Sequence, residues 1–486
     1  MPHWQKRYIH ISSWTWIRTI VYFNETGMTL IQYLAKFWRG TQRFLGASRV
    51  LVVSFAVLIS IGTFLLMLPI STTTSRLSLV DALFTATSAT CVTGLIVVDT
   101  GTAFTHFGQI VILVLIQFGG LGLMTFSTFV VYLLGKKLSI GSRELLQQTF
   151  SQLPILTLKK LVKTIFLSTA VVETIGAVVL TTRFARTMPL EKAAYVAVFH
   201  AISAFCNAGF SLFSDSMIGY RSDFTVNFVL LFLIVTGGLG FVVISEIAFH
   251  RTPKFHKLSL HSRLVIITTG ILIVSGFVLF FLMEYKNTLA LLDWKTKIFT
   301  ALFQSITTRT AGFNSVDIGT LSNATLFMMI LLMFIGASPG SCGGGIKTTT
   351  FAILISQIRA SFKSRDETNL LHRRIPKDVL SKAISVGFFS TVLVVVFTIL
   401  LLSTELPGLS HQVSRGLFLE ILFEATSAFG TVGLSTGLTP HLSPLGRVLI
   451  VFLMFIGRLG PITIALAVGN HKKDNFKYAT ENIMVG

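Results

Sequence analysis

Four short stretches of this 486-residue chain end in glycine and suit one kind of chemistry, coordination of a cation by backbone oxygen. They are Val92-Thr93-Gly94, Asn207-Ala208-Gly209, Thr310-Ala311-Gly312 and Thr431-Val432-Gly433. A phenylalanine stands ten positions before the glycine in three of them (Phe84, Phe199, Phe423) and nine before it in the third (Phe303). Glycine reaches positive φ without steric cost, so successive carbonyls can turn toward one axis. A ring of such carbonyls replaces the hydration shell of a cation, as potassium filters do. The contribution is main-chain oxygen, so glycine's freedom matters more here than the side chains beside it. The plainer alternative is helix packing, since small residues mark membrane helix interfaces. Recurrence at one register after a short helix argues against it.

A second stretch disrupts what is otherwise a spanning segment. It runs from Gly336 through Ser338, Pro339, Gly340, Gly343, Gly344 and Gly345 to Lys347. Each interior glycine costs a helix about 1 kcal/mol and proline about 3. The spacing therefore predicts two half-helices joined by an intramembrane loop, and non-helical backbone at that depth must face a cavity. Directly below a filter the loop would obstruct ions, so residues 336–347 read as a gate; a static kink is the alternative. Arg458 falls at matching depth in the last span, where a charge is costly and usually functional. Its expected partners are loop carbonyls of 336–345 or an acid across the pore. Lys347 can join it or snorkel to the cytoplasm. The run Gly340–Thr348 resembles a phosphate-binding loop, but Ile346 separates the last glycine from the lysine and no strand precedes it. Three cysteines (Cys91, Cys206, Cys342) lack metal or disulfide spacing. Cys91 and Cys206 stand at equivalent positions, three before the glycine, and read as small packing residues. No paired catalytic acids or zinc motif appear, and Glu173 and Glu246 are lone acids in or at the ends of spans. No enzyme, no catalytic residue and no cofactor bound by this chain is expected.

These residues need a membrane to sit in. The chain is 52% hydrophobic and only 12% charged, against about 25% charged in soluble domains. Its net charge of +20 lies between apolar runs and not on a polar, aromatic-interleaved face, so nucleic acid is not expected as a partner. Eight apolar segments are long enough to span, near 50–69, 107–134, 161–183, 225–249, 263–283, 323–357, 380–402 and 445–469. Lys and Arg number 27 on the side of the termini, ten on the other and three in the pore-forming stretches. Both termini are thus expected in the cytoplasm. The segments fall into four copies, each with a span, a glycine-terminated hairpin and a second span. The second spans repeat a glycine signature at Gly119, Gly237, Gly336 and Gly457. Two spans per copy insert every copy the same way up, which predicts a pseudo-fourfold ring around one pore. The fold class is all-α integral membrane protein. The expected division is an interfacial N-terminal segment 1–48, pore repeats 49–135, 160–250, 262–358 and 379–470, and a cytoplasmic tail 471–486. Membrane lipid is the surrounding partner.

The segments around Ser88–Leu95, Phe205–Phe210 and Arg309–Asn314 are similar to the Trk/Ktr/HKT superfamily of potassium transporters. Gly343–Phe351 resembles the gating region of the Ktr-type membrane subunit. The resemblance covers roughly residues 50–470, and the chain lacks the two additional N-terminal spans usual in Trk-type subunits. It implies potassium uptake across the cytoplasmic membrane, often stimulated by sodium, through a homodimer with one pore per protomer. It also implies a cytoplasmic ring of nucleotide-binding (RCK) regulatory subunits that bind ATP or ADP. In the family, glycine at all four filter positions accompanies potassium, and serine in the first accompanies sodium; here Gly94, Gly209, Gly312 and Gly433 are all present. The third filter stretch is one residue short against its siblings. The rival readings are a sodium-conducting or weakly selective channel of the same superfamily, and a coupled secondary transporter of another class. The second would need an occluded polar solute site, which the sequence does not offer.

Overall fold

The computed structural model describes residues 47–73, 77–122, 155–249, 258–365, 367–408, 410 and 412–468. The expected interfacial segment up to residue 46, the 123–135 end of the first repeat, residues 136–154 of the first basic loop and the tail 471–486 lie outside them. The described chain is helical apart from a hairpin of β1 (Asn369–Leu370) and β2 (Arg373–Arg374), antiparallel with Leu370 opposite Arg373.

The helices come in four similar sets. The first is α1 (Ala47–Leu66), α2 (Leu79–Cys91) and α3 (His106–Leu121). The second is α4 (Ile155–Phe184), α5 (Leu190–Phe205), α6 (Phe224–Leu239) and α7 (Phe241–Phe249). The third is α8 (Leu260–Glu284), α9 (Trp294–Thr307), α10 (Asn323–Phe334) and α11 (Thr348–Phe362). The fourth is α12 (Lys377–Glu405), α13 (Leu417–Gly430), α14 (Pro444–Leu459) and α15 (Pro461–Val468). Segments Thr164–Phe184, Leu260–Glu284 and Lys377–Glu405 are long and apolar enough to cross a membrane, and the bent pair α6–α7 makes a fourth if counted as one span. Their outward side chains stay apolar, with Leu282 67% and Phe388 65% exposed. Water would penalise such a surface and lipid tails accept it.

The short second helix of each set lies inside. Phe84, Phe199, Phe303 and Phe423 are wholly buried. These helices run 13, 16, 14 and 14 residues, longer than the two turns that Ala82–Ala89 suggests, because they begin upstream of the small-residue run. They remain short of the ~20 residues that a span requires.

The third helix of each set starts from a built cap. Thr105, Asp223, Ser322 and Ser443 each accept the N–H three residues on, from Gly108, Val226, Thr325 and Gly446. The first helix of the set secures that cap in three cases: Arg183 pairs with Asp223, Glu284 accepts Ser322 N–H at 3.0 Å, and Glu405 accepts Ser443 N–H at 2.9 Å. Each third helix then stops early. Gly122, Gly240 and Gly460 take φ of +80°, +95° and +84° with extended ψ, a conformation that ends an α-helix and favours glycine. The 225–249 and 445–469 segments, expected as continuous spans, are therefore broken. The α6–α7 bend is 101°. The recurring glycine signature is a helix break in sets two and four, as well as a repeat marker.

Candidate functional site

The four glycine-terminated stretches meet in a ring. A Cβ added to Gly94 would lie 3.1 Å from Gly209 Cα, one on Gly209 2.8 Å from Gly312 Cα, one on Gly312 3.4 Å from Gly433 Cα, and one on Gly433 2.9 Å from Gly94 Cα. The ring closes in chain order. Each added Cβ would also press on a carbonyl of the next stretch, of Ala208, Ala311, Val432 and Thr93 in turn. Val92, Thr93, Asn207, Ala208, Thr310, Ala311, Thr431 and Val432 are wholly buried around it. Above it opens a vestibule of about 260 Å³ lined by all four glycines.

The stretches share a backbone turn that the sequence does not announce. Val92, Asn207, Thr310 and Thr431, each two before its glycine, have φ of 58°, 58°, 73° and 49°. Asparagine tolerates this region; β-branched residues rarely enter it. A side-chain hydroxyl fastens each stretch. Ser88 Oγ donates to Leu95 O (2.7 Å), Ser203 Oγ to Phe210 O (2.8 Å) and Thr307 Oγ1 to Phe313 O (2.6 Å), while Ser427 Oγ accepts Gly433 N–H (3.1 Å). Sequence reasoning missed these four, although a hydroxyl recurs six positions before the glycine, five in the third set. The missing residue of the third stretch is absorbed at the helix end. There Ala311 N–H bonds Thr307 O four back, where Thr93, Ala208 and Val432 bond five back.

Beneath the ring lies the loop between α10 and α11, two half-helices as expected. Ile335 and Ile346 pair across its base, and Gly336 N–H bonds Ile346 O at 2.9 Å. Ser338 and Cys342 donate to Gly238 O and Gly237 O, and Phe241 N–H bonds Gly340 O, seating the loop on the α6–α7 break. A Cβ on Gly240 would lie 2.7 Å from Pro339 O. Gly343 lies under Thr310, with 3.0 Å between an added Cβ and Thr310 Cβ. Gly344 N–H donates to Thr431 Oγ1 at 2.9 Å, and an added Cβ on Gly345 would lie 3.4 Å from Gly430 Cα. Lys347 turns back toward the loop and does not snorkel: its Nζ donates to Gly343 O at 2.6 Å. Arg458 donates to the carbonyls of Cys342 and Gly119. The first is a loop carbonyl, as expected; the second belongs to the first set, and neither is an acid. The loop thus touches sets two, three and four, and Arg458 ties it to set one.

Three of the other singled-out residues have partners within the fold. Cys206 packs on Gly120, where a Cβ would lie 2.6 Å from its sulfur. Glu173 accepts from Gln117 Nε2 at 3.3 Å, and Glu246 accepts Ser259 N–H at 2.6 Å beside the start of α8. No group of metal-ligating side chains is found among the described residues.

A family profile described as TrkH, cation transport protein, matches residues 23–478. The chain belongs to the TrkH family of cation transport proteins. It is 43% identical over 440 residues to the Ktr system potassium uptake protein B of Bacillus subtilis, covering 90% of this chain and 96% of that one. The Vibrio alginolyticus protein of the same name is 39% identical, with 91% and 95% covered. The potassium/sodium uptake protein NtpJ of Enterococcus hirae is 36% identical, with 90% and 97% covered. Among solved structures, the potassium transporter TrkH of Vibrio parahaemolyticus superposes with a TM-score of 0.67 at 20% identity, over 86% of this chain and 84% of that one. That likeness establishes the fold, an all-α, multi-pass one; the family match and the 43% identical relative make the chain a transport protein and not an enzyme.

Proposed function

We propose that this chain is the membrane subunit of a Ktr-type potassium-uptake system in the cytoplasmic membrane, conducting K+ through the ring of Gly94, Gly209, Gly312 and Gly433. The closure of that ring from four separate hairpins is the observation that carries the reading. In it, Val92–Gly94, Asn207–Gly209, Thr310–Gly312 and Thr431–Gly433 supply backbone carbonyls in place of water. The C-terminal, negative ends of the four short helices point toward the pore and favour a cation. Residues 336–347 with Arg458 form the gate, because the loop lies against the inner side of two filter stretches and Arg458 bridges it to the opposite wall. Eight spans in four pore repeats, with both termini cytoplasmic, complete the arrangement. The near relatives' naming as a system favours a second component; a nucleotide-binding ring with ATP or ADP, a homodimeric membrane subunit and stimulation by sodium belong to the same proposal. The name of the 36% identical relative, potassium/sodium uptake protein, favours weak selectivity as the second reading.

The test is uptake of K+ against Na+ by the full-length chain in liposomes, with and without a regulatory partner. A side chain on Gly94 meets both a positive φ and a neighbouring carbonyl. Gly94→Ser is therefore expected to cut the K+/Na+ preference by about tenfold or more, a rearrangement of roughly 1.4 kcal/mol or above. An unchanged preference would remove the filter assignment, and equal uptake of both ions by the unaltered chain would favour the weakly selective channel.

A further inference from the structure

Behind the ring, each short helix places one more polar residue directly after its buried phenylalanine: Thr85, His200, Gln304 and Glu424. All four are at most 2% exposed. Three of them reach over the filter to a serine just beyond the glycine. His200 Nε2 lies 3.0 Å from Ser211 Oγ, Gln304 Nε2 donates to Ser315 Oγ at 3.3 Å, and Ser435 Oγ donates to Glu424 Oε1 at 2.6 Å. His200 Nδ1 lies 2.8 Å from Val196 O. A carbonyl only accepts, so in the neutral ring Nε2 is the acceptor and Ser211 the donor. Ser211 and Ser435 then use their remaining lone pairs identically, accepting Phe213 N–H and Gly437 N–H. Both line the vestibule above the glycines. In the first set the arrangement is broken: Ile96 stands where the serine would be, and Thr85 Oγ1 has no hydrogen-bond partner among the described residues.

Glu424 differs from the others in being a carboxyl, able to carry a charge, and every partner around it is a donor. Its carboxyl collects Ser435 Oγ, Thr436 N–H at 3.1 Å and Thr439 Oγ1 at 2.6 Å, all from the segment that forms the vestibule wall. Among the described residues no lysine or arginine is paired with it. A buried carboxylate satisfied by neutral donors keeps its field, and low-dielectric surroundings extend that field to a cation nearby. We propose that His200, Gln304 and Glu424 are positioning residues holding the outer rim of the filter through Ser211, Ser315 and Ser435, and that Glu424 also strengthens cation binding there. The inference rests on the filter reading above.

The experiment compares full-length wild type, Glu424→Gln, Ser435→Ala and the double variant in liposomes. It measures KM for K+ and the K+/Na+ preference, with Gly94→Ser run in parallel. Glu424→Gln keeps the shape and removes the charge. It is expected to raise KM for K+ by about tenfold with maximal uptake little changed, the scale of losing one charged partner. Ser435→Ala is expected to lower the K+/Na+ preference with a smaller rise in KM. The double variant should be less than additive, since both changes act on the same hydrogen bond. Unchanged KM and preference in both single variants, or a loss of maximal uptake alone, overturns the inference. Gly94→Ser separates the two failures: if it shifts preference and the others do not, only the rim assignment falls; if it does not, the filter reading falls and this inference with it. Should Glu424→Gln fail to fold, Ser435→Ala decides alone, because it removes a single hydroxyl at the cavity wall.

Discussion

At the residue scale the informative side chain is Arg458. It extends from α14 and donates to two carbonyls that belong to different repeats, Cys342 O and Gly119 O. A carbonyl in the loop gains a cationic donor only while the loop lies in its present position, so the contact holds it there, which in the proposed gate is the blocking position. Hydrogen bonds to charged groups contribute roughly 1.5–3 kcal/mol each. Arg458→Gln keeps an amide donor and loses the charge. Basal K+ flux through the full-length chain in liposomes is expected to rise by about tenfold, the lower end of that range. Flux equal to wild type in a folded Arg458→Gln protein would show that the arginine braces the wall and does not hold the loop. Lys347 acts on the same loop from within, bonding Gly343 O, so its removal should add to the effect less than independently.

At the element scale, the third helix of each set owes its placement to its N-terminus. In three of the four sets its cap residue is fixed by the end of the first helix, most completely in the third. Glu284 is fully buried and accepts Ser322 N–H, Thr325 Oγ1, Thr288 Oγ1 and Asn287 Nδ2. Glu284→Ala leaves these donors without a partner, at about 1–3 kcal/mol for the first of them alone. The thermal midpoint in detergent is expected to fall by several degrees while the K+/Na+ preference of surviving protein stays at the wild-type value. A shifted preference with an unmoved midpoint would place Glu284 in the ion path. The caps were not read from the sequence, whereas the helices were partly legible. Within the described residues the helix ends fall a few residues from the apolar runs, with the 123–134 end of the second run outside them, and five glycines with Pro339 marked the broken third set. The breaks at Gly240 and Gly460 were not legible, because glycines in an apolar run also suit helix packing. Only the φ values, +95° and +84°, distinguish the two. The left-handed Val92 and Thr431 were hidden for the opposite reason, since nothing in a β-branched residue advertises a conformation that its neighbours impose.

At the scale of the whole molecule, the proposed orientation rests on charge. In the α11–β1–β2 region, which follows the loop beneath the glycine ring, Arg359, Lys363, Arg373 and Arg374 are all exposed. Of the 40 Lys and Arg residues, 27 fall on the expected cytoplasmic side and ten on the other. Cationic loops resist export, so this asymmetry supports the proposed orientation. Lys286 sits just past the end of α8 and Lys363 just past the end of α11, and both are exposed. Substituting each by cysteine provides a direct reading, because the native thiols Cys91, Cys206 and Cys342 are buried. In intact cells a membrane-impermeant maleimide is expected to label Lys286→Cys and to spare Lys363→Cys until the membrane is opened. The reverse pattern would invert the protein, placing the vestibule on the cytoplasmic side and the loop outside. The filter would then load from the cytoplasm, and uptake could no longer be argued from the geometry of the ring.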